Sequence, residues 1–296
     1  MFGRGRSIAA LFMALLGALV WPSMARAEHP IDVQQKASDG DYLGALLAFD
    51  RMPKRIATTE SVIAAGKSAW ALGLADRARK EFESAIQDES LSIEQRAKLF
   101  LSRGVIELQE NRSKTAVLYA EKAATLLTEV SPLKARVFLL WGDALRNDQS
   151  YGGASAKYSE ALSAASTDDI PDIHFRLGEC ALKIGKADEA QANFEQIPLV
   201  HERAPQAIRY LAQIALDAKQ FESAQFWLGK GRENFPDQFL DSWVDFALVQ
   251  SAVNQGDQQR VRALQTDAAQ KYPPSDAWLN LLNAEAEEFY WKVSKS

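Results

Sequence analysis

The chain is short of the residues that build most catalytic and metal sites. It has one cysteine, Cys180, in 296 residues. That excludes an internal disulfide framework and a cysteine-rich zinc site. Its three histidines, His29, His174 and His201, share no helical ligand spacing, which argues against a metal centre. Sixteen glycines and ten prolines are too few for a collagen-like or low-complexity chain. Base is not in excess: 34 Lys and Arg against 39 Asp and Glu give a net charge of −5. A nucleic-acid binder working through a basic face is therefore disfavoured. Nucleophile elbow, phosphate loop, dinucleotide fingerprint and zinc-protease motif are all missing. The glycine-rich run Tyr151-Gly152-Gly153-Ala154 has no phosphate-loop lysine and reads as an inter-helix turn. No cofactor is expected. What remains is ordinary globular material, 47% hydrophobic and 25% charged, long enough for two domains.

Residues 1–27 read as a leader. Arg4 and Arg6 precede the apolar run from Ile8 to Trp21, then come Pro22 and Ala25-Arg26-Ala27. A basic start, a short apolar core and a small-x-small site describe a secretory signal cleaved after Ala27. Fourteen helical residues reach about 21 Å, short of the roughly 30 Å hydrocarbon core. Glu28 rather than cysteine follows the site, so lipidation is not expected. Without the three leader arginines the net charge becomes −8. No later apolar run approaches 18 residues, so membrane insertion after cleavage is not expected. A single cysteine suits an exported protein that avoids disulfides. The expected location is the bacterial periplasm.

Beyond the leader, apolar residues recur at three- and four-residue spacing, the helical period. Polar breaks at Ser38–Asp41, Asn147–Ser150 and Asn254–Asp257 mark turns. Small residues pair twelve apart: Gly66 with Ala78, Gly104 with Ala116, Gly142 with Ala154, Gly178 with Ala190, Ala212 with Ala224. Four residues after each second member come Phe82, Ala120, Tyr158, Phe194 and Leu228. This pattern predicts two antiparallel helices whose small residues meet across a hairpin, with the larger residue filling the gap to the next one. Each hairpin leaves an apolar face open, so hairpins must stack.

These segments resemble tetratricopeptide repeats. Trp141-Gly142-Asp143-Ala144-Leu145 with Tyr151, Ala154, Tyr158 and Ala161 carries the resemblance most fully. Leu177-Gly178 with Ala181, Gly185, Ala190, Phe194 and Pro198 follows, as does Leu211-Ala212 with Ala215, Phe221, Ala224, Leu228 and Pro236. Weaker units flank them, giving about seven between residues 30 and 273. The leading small residues are spaced 38, 38, 36 and 34 apart, where the family's period is 34. The long gaps imply extended helices or loops near Asp88–Ile93 and Thr128–Leu133. Ala120 stands where the pattern has an aromatic. The resemblance implies an all-α fold, a right-handed αα-hairpin superhelix over 28–274, and a C-terminal capping helix over 275–296, capped by Ser275.

In this family the first helix of each hairpin lines a concave surface on which partner segments lie. Taking residues one turn either side of each small residue projects that face. It gives Lys67 and Trp70, then Leu101 and Leu108, then Arg136 and Arg146. Phe175 and Glu179, Arg209 and Gln213, and Phe246 continue it. Cations among apolar residues on an acidic protein suit an extended, partly apolar segment carrying negative charge. The family's lysine–asparagine clamp for a terminal carboxylate is missing, since Val105 and Asp143 follow Lys67 at the equivalent positions. Cys180 reads as a small core residue, His174 as half-buried, His29 as mobile, and the run Glu285–Glu288 as a solvated face.

The reading is a non-catalytic periplasmic scaffold or adaptor that holds a protein or peptide partner for assembly of an envelope machine. The alternative is an accessory subunit, or a degenerate solenoid, of a peptidoglycan-processing enzyme. Exposed apolar ends could also stack head to tail, so self-association is a further expectation.

Overall fold

The computed structural model describes residues 28–295. The leader over 1–27 and its cleavage site lie outside them. Among the described residues there are fifteen α-helices, two 3-10 turns and no strand. The chain divides between Ile106 and Glu107 into two compact units.

Helices follow one another in hairpins within each unit. The first unit has α1 (Pro30–Ser38) with α2 (Tyr42–Arg51) and α3 (Thr59–Ala71) with α4 (Ala75–Ile86); α5 (Ile93–Gln109) runs across the division and α6 (Ser113–Leu126) follows it in sequence. Then come α7 (Pro132–Asn147) with α8 (Tyr151–Leu162), and α9 (Ile170–Lys183) with α10 (Ala187–Phe194). The last pairs are α11 (Ala204–Asp217) with α12 (Phe221–Asn234), and α13 (Ser242–Asn254) with α14 (Gln258–Lys271). Helix α15 (Ala277–Lys295) ends the array. Within each unit helices pack on their sequence neighbours. This is the all-α hairpin solenoid that the sequence period predicts.

Every hairpin turns on one residue with positive φ: Gly40, Gly73, Asn111, Gln149, Gly185, Lys219 and Gly256. The same two backbone bonds close the first helix each time. In the fifth hairpin Gly185 N–H donates to the Leu182 carbonyl at 3.1 Å and Lys186 N–H to that of Ala181 at 2.9 Å. This arrangement satisfies carbonyls that the helix end leaves without partners. The three polar breaks seen in the sequence all fall on such turns.

The close approach within hairpins differs from the expected small-on-small contact. A Cβ added to Gly66 would meet the Phe82 ring at 2.7 Å, and one on Gly178 the Phe194 ring at 2.7 Å. On Gly142 it would strike the Tyr158 ring, and on Gly231 the Phe239 ring. The glycine is therefore the seat of an aromatic from its own hairpin or the loop after it. The large residue also fills the gap to the next hairpin, as expected: Phe194 stacks on Tyr210 at 4.8 Å, and Tyr158 shares a core with Ile173 and Leu177. All four rings are at most 1% exposed. A ring brings far more apolar area than a second alanine, so hairpins close on rings wherever a glycine admits one.

The long early period resides mainly in helix length. Helix α5 has 17 residues and α7 has 16, against 13 in α3 and 14 in α9 and α11. In the first unit, Val33, Ala45, Ala48, Met52 and Ala64 form one core and Phe82, Leu99 and Ile106 anchor another. In the second unit, successive cores centre on Tyr158, Phe194, Leu228 and Leu282. Helix α15 covers the last hairpin with Leu279, Leu282, Ala286 and Phe289. Asp276, not Ser275, caps it, accepting from Leu279 N–H at 2.9 Å. His29 is likewise placed rather than mobile, closing a capping box at the start of α1.

Two charge pairings, one around a buried carboxylate and one part-exposed, brace the second unit. Asp245 is 1% exposed and receives Arg232, the Tyr272 hydroxyl at 2.7 Å and Lys271 at 3.8 Å. Arg209 on α11 reaches Asp241 and the Gln238 carbonyl before α13.

Two tests follow from this packing. Gly142→Ala should cost roughly 1–3 kcal/mol by driving a methyl into the Tyr158 ring. Gly229→Ala, in the middle of α12 with open space around it, should gain roughly 0.5–1 kcal/mol. Urea unfolding of the two variants checks the contrast; equal effects would overturn the ring-on-glycine account. Separately, Gln149→Gly and Lys219→Gly remove the cost of a left-handed L-residue, about 1–2 kcal/mol less the entropy penalty of glycine. Each variant should melt higher by circular dichroism, and lower melting would mean that those side chains stabilise the turns.

Candidate functional site

The second unit holds a cleft of about 380 Å³ lined by Arg146, Tyr151, Glu179, Cys180, Leu182, Lys183 and Tyr210. Local structure delivers each side chain. Ser131 caps α7, whose last turn carries Arg146. The turn at Gln149 reverses the chain and sets Tyr151 as the first residue of α8. Glu179 and Lys183 stand one turn apart on α9, and Tyr210 comes from α11.

A charge network fixes these groups. Arg146 pairs with Glu179 at 3.1 Å and with Asp143 at 3.7 Å. Asp143 also meets Arg176 at 3.2 Å and accepts from the Tyr158 hydroxyl at 2.7 Å. Glu179 accepts from the Tyr210 hydroxyl at 3.3 Å. Both carboxylates are thus saturated. Lys183 is exposed and has no anionic partner among the described residues. The network carries three cations and two anions, leaving one positive charge at the mouth. Cys180 is fully buried, and burial outweighs the Arg146 charge to push its thiol up to about 11. It is therefore a core thiol rather than a nucleophile at neutral pH.

Of the projected groove, Arg146 and Glu179 come together at this cleft. Leu101 and Phe175 do not belong to a surface. They are 6% and 4% exposed, and Phe175 packs on Phe194 at 5.7 Å between centroids. Both sit three residues before the repeat glycine, a position that turns toward neighbouring helices. The position one residue after it faces outward, as at Lys67 and Gln213, both exposed. Trp70 and Leu108 are half-buried and Arg136 is exposed. Gln213 donates to Asp217 at 2.8 Å. Arg209 is committed to Asp241 and lies over the rings of Phe239 and Trp243 at 4.7 and 5.3 Å. Phe246 leans on Trp278 at 5.3 Å.

Arg146 is engaged by Asp143 and Glu179. The unmatched charge is Lys183, four residues past Glu179 on the same stripe, a position the helical period gives but whose lack of a partner it does not. The histidines hold structure: His174 bonds Asn193 on α10 at 2.9 Å and His201 accepts from Arg203 N–H at 3.2 Å. Among the described residues no group of three His, Cys, Asp or Glu could hold a metal ion, and no helix is long and apolar enough to cross a membrane.

Three phenols meet carboxylates in this unit. Burial first, then the adjoining carboxylate, raises all three above the ordinary tyrosine value, Tyr158 beside Asp143, Tyr210 beside Glu179 and Tyr272 beside Asp245. The unfolded chain then loses these protons first, at about pH 10. Stability is full below that pH and falls as pH rises toward the folded-state values. Tyr158→Phe should cost roughly 0.5–1.5 kcal/mol at pH 8 and flatten the alkaline decline. Urea midpoints at pH 8 and about pH 10.5 test this. An unchanged slope would mean that Tyr158 does not contribute to it.

A tetratricopeptide repeat family model matches residues 63–130 and 139–197. No curated protein sequence matches the chain. Among solved structures, the C-terminal part of a TPR repeat-containing protein from Cytophaga hutchinsonii superposes with a TM-score of 0.71 at 13% identity, covering 86% of this chain and 99% of that one. A tetratricopeptide repeat protein from Parabacteroides merdae gives 0.53 at 14% identity, over 79% of this chain and 87% of that one. PilF from Pseudomonas aeruginosa gives 0.51 at 18%, over 79% and 97%. At such identities these structures speak to the fold alone. With the hairpin turns alike, the glycine-and-ring pattern and the family match over both stretches, the chain contains tetratricopeptide repeats over residues 63–130 and 139–197.

Proposed function

We propose that this chain is an exported, non-catalytic scaffold that holds an acidic, partly apolar segment of a partner protein on the first-helix face of its second unit. Tetratricopeptide repeats act as protein–protein interaction scaffolds, which gives the general class. The observation that carries the finer reading is the cleft at Arg146, Glu179 and Tyr210, with Lys183 as its uncompensated cation. Two tyrosines and Leu182 supply apolar and aromatic wall, and the charge surplus suits a carboxylate side chain on the partner. Residues 1–27 support export: a basic start, an apolar core too short to span, and a small-residue site ending at Ala27. The partner is then a component of an envelope assembly.

In-cell photocrosslinking from Leu108, Lys183 and Gln213 tests this reading. One recurrent envelope protein should be captured from Lys183 and Gln213. Its acidic segment should bind the purified chain about five- to tenfold more weakly after Lys183→Glu, with melting unchanged. Capture only from positions away from this face, or affinity indifferent to Lys183→Glu, would overturn the proposal.

A further inference from the structure

A second cleft, of about 350 Å³, lies where α10, α11 and α12 meet, and it shares no lining residue with the first. Its floor is Leu211 and Ala215 of α11, both buried. One wall is Phe226 and Trp227 of α12, and the carboxylates of Glu195 and Glu222 border it. Phe226 is 60% exposed, although its ring meets Trp227 edge-on at 5.0 Å. Covering this ring with a partner's side chain would remove apolar surface from water.

The electrostatics say what kind of group that is. Neither carboxylate pairs with a lysine or arginine among the described residues; Glu195 takes only the Gln191 amide, at 2.9 Å. The rings already attract a cation: Lys230 Nζ lies 5.0 Å from the Trp227 centroid and 5.7 Å from that of Phe226. An apolar floor, an aromatic wall and an anionic rim fit a side chain with an apolar stem and a positive head. Arginine fits best, because its planar guanidinium both stacks on rings and meets carboxylates through paired N–H groups.

We propose that this cleft, on the second-helix side of the unit, docks an arginine-bearing segment of a partner protein, independently of the acidic segment held on the first-helix side. The two clefts carry opposite surplus charge, so one segment of uniform charge cannot satisfy both. The scaffold therefore distinguishes two segments by sign, whether from one partner or two.

The test uses the purified chain and two fluorescein-labelled heptapeptides, Gly-Ser-Leu-Arg-Leu-Ser-Gly and its norleucine-for-arginine counterpart. Binding is read by anisotropy and by the Trp227 indole N–H resonance. The arginine peptide should bind about tenfold more tightly and shift that resonance. The double variant Glu195→Gln/Glu222→Gln should abolish the difference without changing the melting temperature, both side chains being exposed. Lys183→Glu should leave it intact, which separates this cleft from the first. Equal binding of the two peptides, or a preference that survives the double variant, would overturn the proposal. So would concentration-dependent dimerisation abolished by the same double variant, because a second copy would then be the occupant.

Discussion

An aromatic ring can press against a helix backbone only where no Cβ stands in the way. Four contacts of that kind, at Gly66, Gly142, Gly178 and Gly231, set how closely helices in this chain approach. The rest of the architecture depends on them. A ring held to within 1% of full burial fixes the rotation of both helices about their axes. That rotation decides which side chains turn outward. Asp143 and Glu179 each follow a ring-bearing glycine directly, so the glycine that admits the ring also aims the carboxylate. The charge network at the first cleft is in this sense a by-product of core packing.

Hairpin count, turn positions and the final helix were legible in the sequence because they rest on local rules. Gly40, Gly185 and Gly256 sit where a helix must end left-handed, and any short reading frame shows them. The glycine-to-ring contact was half legible. The twelve-residue spacing located the participants but paired the glycine with the wrong one, since spacing reports register and not which atoms touch. The face projection took in Arg146 and Glu179, which line one cleft, and also Leu101 and Phe175, which are buried. A position three residues before the glycine is equally on the helix surface, and only the next hairpin decides that it is covered. Neither the engagement of Arg146 nor the isolation of Lys183 was readable, because both depend on partners 33 residues away or on the lack of any. The second cleft was not readable, because its floor residues Leu211 and Ala215 belong to the repeat pattern while the exposed Phe226 and the carboxylates that border it do not.

Charge in the second unit follows one principle. Carboxylates that face inward are saturated by phenols and guanidinium groups, as at Asp143, Glu179 and Asp245. Those at the rim of the second cleft are left uncompensated. Ion pairs this exposed to water add little stability. Their effect is to hold Arg146, Tyr158 and Tyr210 in fixed positions, so that the cleft presents a defined shape and sign. On a chain of net charge −5, a local cationic surplus is also a contrast that an approaching acidic segment can sense.

The buried Asp245 has a consequence for how the chain comes apart. Its partners are Arg232 on α12, Lys271 on α14 and Tyr272 just beyond it, so three successive helices share one carboxylate. Repeat arrays ordinarily lose their ends piecemeal, each unit peeling from its neighbour. Here, peeling α14 would strip a buried anion of two donors, a loss on the order of 3–5 kcal/mol. The C-terminal hairpins are thereby welded into one cooperative block that resists fraying from its own end. The joint between the fourth and fifth hairpins is bridged by part-exposed pairs, Arg146 with Glu179 and Asp143 with Arg176, whose loss costs less, so partial opening would begin there.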